Sequence, residues 1–431
     1  MKSILSYVII LLAFTQCTST LSDEQSRQLR ECYKTKNYFK LDNLMSKIAS
    51  AERNPDLLLY QATLANVFNQ PEESNRLIEK ILKKYGHHFN DTILKDLYYM
   101  QEANAYRLQD YNGEYLADSI LVTKFGAVCD ATESETHKDD LTLFRVIRNV
   151  PKMEFNIPAD ATAILKRDLA GLLNVSVTLK EDSVDWVFDT GAAFSVMIAS
   201  QATKYGVRIL PGKVRTGTST GLKVEGQMGL VDLHLGNIEV KNAVVLVLPD
   251  SALTFANGAY VIRGVLGFPV IYGLREVTIK DDKTLLVSQT HENRGDRNLA
   301  LDGQYMLIRV KAGNDTLPFL YDSGNNVTSL SSRFFNKYKN NIEGKCTKRK
   351  VITGGAGGMR ETEAYILDSL VLSVGNSTHT LDSLVVHPSD LMGYDIKYLY
   401  GNFGQDYVSK FSEMRIDFNS MNINFLNNKS K

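Results

Sequence analysis

The sequence lacks a net charge and the common cysteine and histidine motifs of metal sites. Lysine plus arginine equals aspartate plus glutamate, with 49 residues of each kind, so no global field attracts nucleic acid. Neither CxxC nor HExxH occurs, and His87-His88, the one adjacent pair among seven histidines, is interpreted as a solvated helix end. We therefore expect no nucleic-acid partner and no metal.

Cysteine is scarce. The chain has four: Cys17 near the N-terminus, and Cys32, Cys129 and Cys346 spread widely along the rest. With Cys17 set aside, the odd number and wide spacing exclude a disulfide framework. Cys32 and Cys129 both fall in a helical region, and the sequence does not decide whether they pair.

The N-terminal apolar run is too short to span a bilayer. Lys2 precedes an apolar stretch over residues 4–14, and Thr15-Gln16 then leads to Cys17. The pattern resembles a bacterial lipoprotein signal, although Gln16 departs from the small residue usual before the lipidated cysteine. The resemblance implies an exported protein anchored to the membrane at the periplasmic or outer-membrane face of the cell envelope through lipidation of Cys17. The alternative is an ordinary secretory signal, cut a few residues later, and a secreted protein.

Residues 22–126 show a helical pattern, with apolar residues at three- and four-residue spacing and few glycines or prolines. A weak repeat relates residues 60–86 to residues 100–126, and each unit is predicted to be a helix, a polar turn and a second helix. The units resemble tetratricopeptide-type hairpins, which implies a possible protein partner. The alternative is a helical bundle without repeat function.

From about Phe144 onward, short alternating runs rich in Val, Leu and Thr predict all-β structure. This region contains an internal duplication, because residues 175–189 align without a gap with residues 308–322. Each copy has an alternating strand, a turn, and a second strand that ends in an aromatic residue and an aspartate. Further on, residues 264–270 match residues 401–407.

The two aspartates begin matched triplets, Asp-Thr-Gly and Asp-Ser-Gly, each followed downstream by a short glycine-bounded element. Over residues 145–427 this arrangement resembles the pepsin and retropepsin superfamily of aspartic peptidases. The resemblance implies two β lobes around a cleft, with a catalytic aspartate from each and a hydroxyl residue and glycine that support it. The implied residues are the catalytic Asp189 and Asp322 and the supporting Thr190, Gly191, Ser323 and Gly324.

Two adjoining carboxyl groups supply what amide hydrolysis needs. A base must deprotonate water, and an acid must protonate the developing oxyanion or the leaving nitrogen. Two carboxylates in contact cannot both ionise cheaply, so they share one proton and divide these roles. The sequence therefore predicts an aspartic endopeptidase that acts on polypeptides without a metal or an organic cofactor.

Two asparagines depart from the family pattern: Asn325 replaces a small residue, and Asn402 stands where an apolar residue is usual. They motivate the alternative of a catalytically inactive peptide-binding or scaffolding protein that uses the same cleft. Residues 217–221 satisfy Gly-x-Ser-x-Gly, but a β-like run follows where a serine hydrolase has a helix. We interpret them as the tip of a flap hairpin, and residues 353–358 as its counterpart in the second copy.

The predicted fold is multidomain, with N-terminal all-α helical hairpins followed by an all-β bilobal aspartic-peptidase fold. The predicted segments are a signal peptide at 1–17, a helical tetratricopeptide-like domain at 18–140, a first peptidase lobe at 141–292 and a second lobe at 293–431.

Overall fold

The computed structural model describes residues 21–48, 54–218, 222–281, 283–289, 296–355, 358–389 and 397–427. The predicted signal peptide and Cys17 lie outside these residues. Within them, no helix is long and apolar enough to cross a membrane. The three described cysteines, Cys32, Cys129 and Cys346, are free thiols.

Seven α-helices precede the first strand in the described part of the chain. They are α1 (Asp23–Lys34), α2 (Tyr38–Met45), α3 (Pro55–Val67), α4 (Pro71–Tyr85), α5 (Asp91–Arg107), α6 (Tyr111–Lys124) and α7 (Ala131–Ile147). N-terminal capping residues mark where several of these helices begin. Ser22 and Asp130 form capping boxes, and Asn54 caps a helix whose first residue is Pro55. Helix α7 continues beyond residue 140, and the domain boundary there stays a prediction.

Three pairs of these helices are closed by the same turn. Lys36, Asn69 and Gln109 adopt left-handed backbone conformations, with φ of 51°, 59° and 53°. After each, the next N–H donates to the carbonyl five positions earlier, at 2.9, 2.8 and 2.8 Å. The repeat visible in two sequence units thus has a third structural copy in α1 and α2. The tetratricopeptide resemblance remains a prediction.

The rest of the described chain is mainly strands. Those of the first repeat are β1 (Glu154–Asn156), β2 (Thr162–Arg167), β3 (Leu173–Leu179), β4 (Asp182–Phe188), β5 (Ser195–Ile198), β6 (Arg208–Ile209), β7 (Val214–Gly217), β8 (Lys223–Leu235), β9 (Ile238–Leu248), β10 (Thr254–Phe255), β11 (Tyr260–Val261), β12 (Gly264–Leu266), β13 (Glu276–Lys280) and β14 (Thr284–Val287). Two short helices accompany them, α8 (Ala199–Tyr205) and α9 (Phe268–Gly273).

The second repeat has a similar sequence of elements. Its strands are β15 (Leu299–Asp302), β16 (Tyr305–Ala312), β17 (Asp315–Tyr321), β18 (Ser329–Leu330), β19 (Thr347–Gly355), β20 (Gly358–Val374), β21 (Ser377–Val386), β22 (Gly401–Phe403), β23 (Glu413–Asp417) and β24 (Asn422–Leu426). Its short helices are α10 (Ser332–Lys337), α11 (Lys339–Lys345) and α12 (Gln405–Val408).

Equivalent strands occupy equivalent positions in the two repeats. The antiparallel hairpin β3–β4 corresponds to β16–β17. A short strand then pairs in parallel with the second strand of each hairpin, β12 with β4 and β22 with β17. The alternating burial along β3 and β16 explains why the duplication is visible in the sequence, because the core-facing positions must stay apolar.

Strands β13 and β23 join the two repeats. They pair antiparallel, with Glu276 opposite Asp417 and Lys280 opposite Glu413. Since the two strands are equivalent segments of the duplication, this pairing places a local twofold axis between Thr278 and Arg415. The predicted fold class, a helical domain followed by an all-β lobed region, is confirmed.

The turns of the helical hairpins attach the helices to the β region. Lys36 Nζ forms an ion pair with Asp302 Oδ2 of β15 at 2.8 Å. Gln109 Oε1 accepts a hydrogen bond from the N–H of Met153 at 2.6 Å. These two left-handed turn residues therefore close the hairpins and also contact the second repeat and the segment just ahead of the first.

Asn69, the turn residue of the middle hairpin, contacts both repeats. Its Oδ1 accepts from the Tyr272 hydroxyl at 2.7 Å, and its Nδ2 donates to the carbonyl of Phe418 at 2.8 Å. Beside it, Phe268 stacks on Tyr106 of α5 at 6.1 Å and meets Phe418 edge to face at 5.9 Å. This aromatic cluster makes the interface between helices and strands part of the hydrophobic core.

Candidate active site

Each predicted catalytic aspartate follows directly on a buried strand end. Asp189 follows β4 and Asp322 follows β17. The N–H of Asp189 donates to the carbonyl of Leu266 at 3.0 Å, and that of Asp322 to Phe403 at 3.2 Å. The short parallel strands β12 and β22 therefore fix the backbone of the two aspartates in the same way.

The glycine of each triplet lies against the aspartate of the other. A Cβ on Gly191 would lie 2.7 Å from Asp322 Oδ1, and one on Gly324 would lie 2.5 Å from Asp189 Cγ. Each glycine N–H also donates to the carboxyl of its own triplet, at 2.8 and 2.9 Å. Because any side chain would collide, only glycine permits this approach of the two carboxyl groups.

Thr190 and Ser323 lock the two loops together. Both are fully buried. The N–H of Thr190 donates to Ser323 Oγ at 2.9 Å, and the N–H of Ser323 donates to Thr190 Oγ1 at 3.0 Å. The hydroxyls donate in turn to the carbonyls of Tyr321 and Phe188, at 3.3 and 2.8 Å. The structure thus brings together all six residues predicted for the site.

Two further hydroxyl residues support the loops, and sequence reasoning missed them. Ser195 and Thr328 lie six positions after their respective aspartates and are fully buried. Ser195 Oγ accepts from the N–H of Gly267 at 3.1 Å, and Thr328 Oγ1 accepts from Gly404 at 3.0 Å. The signal that could have found them is a hydroxyl residue at the same offset in both copies.

Residues 175–270 match a family model described as aspartyl protease. The match covers the first triplet and its supporting strand β12, and it is less than half of the chain. A search of curated proteins gives no match. The match supports a protease-like function, a peptidase type of hydrolase and therefore a polypeptide substrate.

Asn402 adds a polar contact to this aspartyl protease-like site. It occupies the position that Val265 has in the first repeat, and β22 still pairs in parallel with β17. Its Nδ2 donates to Asp322 Oδ2 at 3.3 Å. The other unusual residue, Asn325, donates within its own loop to the carbonyl of Val327 at 2.9 Å. Neither asparagine disrupts the second triplet.

The electrostatic environment distinguishes the two carboxyl groups. Burial and the adjacent Asp322 raise the pKa of Asp189 to about 8. Burial also raises the pKa of Asp322, against hydrogen bonds from Asn402 and the Gly324 N–H that stabilise its charged form. Such a pair holds one proton near neutral pH. Because Asn402 donates to Asp322, the charge is favoured on Asp322 and the proton on Asp189.

The two hairpins predicted as flaps are formed by β7–β8 and β19–β20. Residues 219–221 and 356–357, at their tips, lie outside the described residues. Leu222 and Met359 beside the tips are 53% and 71% exposed, and Leu222 lies against Gly358. The Gly-x-Ser-x-Gly motif is followed by strand β8, as a hairpin requires and a nucleophile elbow does not.

The first hairpin is tied to helix α7. Arg215 of β7 and Lys223 of β8 contact Asp139 at 2.9 and 2.6 Å, and both contact Glu135 at 3.1 and 3.0 Å. The Asp139 side chain is 15% exposed, whereas that of Glu135 is 50% exposed. Asp139 is therefore the better shielded centre of this ion-pair network.

Proposed function

We propose that this chain is an aspartic endopeptidase in which Asp189 and Asp322 activate the water that attacks a peptide bond. The observation that carries the proposal is the reciprocal packing of the two triplets. Each glycine admits the opposite carboxyl, and each hydroxyl binds the opposite backbone. Two carboxyl groups brought this close share a proton, which is the state that acid–base hydrolysis of an amide requires.

In the proposed reaction the ionised Asp322 takes a proton from water while the oxygen of that water attacks the carbonyl carbon. The protonated Asp189 gives its proton to the carbonyl oxygen, which yields a neutral gem-diol. Asp322 then gives its proton to the leaving nitrogen while Asp189 takes a proton from the gem-diol, which breaks the C–N bond and returns the proton of the dyad to Asp189. Asn402 assists by holding the charge on Asp322.

The exposed apolar residues of the two hairpins suggest which substrates are favoured. Leu222 and Met359 lie beside the hairpin tips. A polypeptide held between the hairpins and the dyad would meet these side chains, so we propose a preference for apolar residues near the cleaved bond.

The decisive experiment measures cleavage of a mixed unfolded polypeptide by the purified protein across a pH series. Asp189→Asn and Asp322→Asn are each expected to lower the rate roughly 1000-fold or more, because neither leaves both an acid and a base. Asp185→Asn is the matched control, since Asp185 lies on the same strand but is paired with Lys166 at 2.6 Å.

The alternative, an inactive peptide-binding protein with the same cleft, predicts a different result. The unsubstituted protein would then bind a statine-type peptide without cleaving polypeptide at any pH. Cleavage that survives either dyad substitution would also contradict the proposed mechanism.

We further propose that the chain is exported and lipid-anchored through Cys17, with the helical hairpins as a tetratricopeptide-like docking surface for a partner protein. The lipoprotein-like signal in residues 1–17 supports the first part and the repeated hairpin turn the second. Labelling with an alkyne fatty acid should mark the protein and fail in Cys17→Ser. Release of soluble, unlabelled protein would instead indicate an ordinary secretory signal.

A further inference from the structure

A cluster of buried and half-buried ionisable side chains lies inside the helical domain, away from the aspartate pair. Glu102 comes from α5, Glu114 and Asp118 from α6, and His137 and Asp140 from α7. Glu114 and Asp118 are fully buried, and His137 is 3% exposed. Four carboxyl groups and a single imidazole therefore meet where three helices pack together.

Several polar atoms of Glu102, Glu114, Asp118 and His137 have no hydrogen-bond partner in the described part of the chain. Within the described residues, no hydrogen-bond partner exists for either carboxyl oxygen of Glu114 or Asp118, for Glu102 Oε2, or for His137 Nδ1. His137 Nδ1 lies 3.4 Å from Asp118 Oδ1. Because buried polar atoms normally have hydrogen-bond partners, this cluster indicates a bound ligand that accepts several lone pairs.

The carboxyl groups also repel one another. The ligand atoms of Glu102 and Asp118 lie within 4.8 Å of each other, and Glu114 and Asp118 are fully buried. A bound divalent cation would offset the repulsion between carboxylates held this close together.

Three of the side chains converge as metal ligands do. Glu102, Asp118 and His137 each offer one ligand atom, and these atoms lie within 4.8 Å of one another. Zinc binds such atoms at about 2.0–2.2 Å in a tetrahedral arrangement, so two of its ligand atoms are roughly 3.4 Å apart. Small side-chain rotations would therefore bring the three ligand atoms to coordination distance of one ion, with one ligand from each helix.

A second triad, Cys129, Glu133 and His137, shares the histidine but is less suitable. Glu133 is already paired with Lys95, and it accepts from the N–H of Asp130 at 3.3 Å as part of the α7 capping box. A cavity of about 130 Å³, lined in part by Cys129, Ser134 and His137, borders this side. We interpret it as the route by which an ion reaches the inner triad.

We propose that Glu102, Asp118 and His137 bind one divalent transition-metal ion, zinc being the best match to one imidazole and two carboxylates, with Glu114 and Asp140 as outer carboxylates. The ion would clamp α5, α6 and α7 to one another. The sequence predicted no metal because these ligands have no local spacing motif and meet only through helix packing.

The test titrates metal-depleted full-length protein with zinc chloride by calorimetry and follows its thermal unfolding. We expect one zinc ion per chain and a rise in melting temperature of about 3 °C or more at a hundredfold excess over Kd. Asp118→Asn and Glu102→Gln should each weaken zinc binding about 100-fold and abolish the rise.

The same variants exclude misfolding as an explanation. Each substitution replaces a carboxyl group with an isosteric amide, so the metal-free variants should melt close to or above the melting temperature of the metal-free parent. His87→Gln with His88→Gln is the matched control, because these exposed histidines would bind zinc adventitiously.

Three results would overturn the assignment. Zinc binding lost in the His87/His88 variant would mark a surface ion, and binding lost in Cys129→Ser but retained in Glu102→Gln would identify the second triad. An equal thermal shift with magnesium would exclude a transition-metal site. None of these measurements depends on peptidase activity.

Discussion

Asn402 makes the two carboxyl groups of the aspartate pair unequal. Its amide donates to Asp322 at 3.3 Å, whereas the equivalent residue of the first repeat, Val265, has no side-chain donor. A hydrogen bond to a carboxylate favours its charged form. The duplicated halves therefore place the aspartates on similar strands but give them different hydrogen-bond donors, since Asn402 donates to Asp322 and the N–H of Ala192 donates to Asp189.

Replacing Asn402 with valine, the residue of the other repeat, should move the acidic limb of the pH–rate profile upward. Loss of the donor raises the pKa of Asp322, so the base becomes ionised only at higher pH, by about one unit. The profile of kcat/KM measures this shift. Asn325→Ala should leave the limb in place, and an unchanged or lowered limb in Asn402→Val would contradict the role of Asn402.

We expect Asp189 to lower the free energy of unfolding at neutral pH. Its pKa is about 8 in the fold, against about 3.9 in an unfolded chain, so the folded state holds the proton more tightly between these values. The free energy of unfolding therefore falls as pH rises from about 4 to 8. Asp189→Asn abolishes this decrease in the free energy of unfolding. The variant should therefore be about 1–3 kcal/mol more stable than the parent at pH 8.

Urea unfolding at pH 4, 6 and 8 tests this expectation. The gain from Asp189→Asn should shrink toward pH 4, where the parent carboxyl is protonated in the folded state and about half protonated in the unfolded state. Asp185→Asn, on the same strand but paired with Lys166, should show no gain that grows with pH. A dyad variant no more stable than the parent at pH 8 would disprove the raised pKa.

At the scale of secondary-structure elements, helix α7 makes contacts on two sides. Glu135 and Asp139 bind the β7–β8 hairpin, and His137 and Asp140 belong to the buried cluster of the helical domain. Alternating residues of one helix therefore contact the proposed flap and the proposed metal site. Exposed ion pairs contribute little individually, but Asp139 is shielded and receives two cations.

Asp139→Asn should loosen the first hairpin. Losing about 1–2 kcal/mol of local stability would speed amide exchange in β7 and the start of β8 by a factor of about 5–30. Hydrogen exchange followed by mass spectrometry measures this directly. Glu135→Gln is the control at a half-exposed position and should have a smaller effect. Equal exchange in Asp139→Asn and the parent would show that the network does not hold the hairpin.

At the scale of the whole molecule, the helical domain contacts both repeats through its hairpin turns. Asn69 binds Tyr272 of the first repeat and Phe418 of the second. Lys36 binds Asp302 of the second repeat, and Gln109 binds Met153 ahead of the first. The helices therefore brace the two halves in addition to the pairing of β13 with β23.

Asn69→Ala should destabilise the protein by about 2–4 kcal/mol, because it removes two hydrogen bonds and places alanine in a left-handed conformation. Asn69→Gly removes the same bonds without the backbone penalty, and should cost about 1 kcal/mol less. Urea unfolding compares the two. A glycine variant less stable than the alanine variant would contradict this account of the turn.

The sequence by itself determined the fold class and the location of the paired triplets. Helical periodicity over residues 22–126 and strand alternation from about Phe144 each follow from which side chains must face a core, although helix α7 extends to Ile147. The duplication can be recognised in the sequence because both copies place a turn and an Asp-Thr/Ser-Gly triplet directly after a buried strand. These local constraints act on consecutive residues. The roles of Asp189 and Asp322 in catalysis remain a prediction.

Only the tertiary structure determined the contacts between residues that are distant in the chain. The donation from Asn402 to Asp322, the attachment of α7 to the hairpin and the docking of Asn69 have no signature in local spacing. The cluster of Glu102, Asp118 and His137 needs three helices at a particular packing angle. Burial and proximity set the electrostatics of both carboxyl clusters, and the linear sequence specifies neither until the chain has folded.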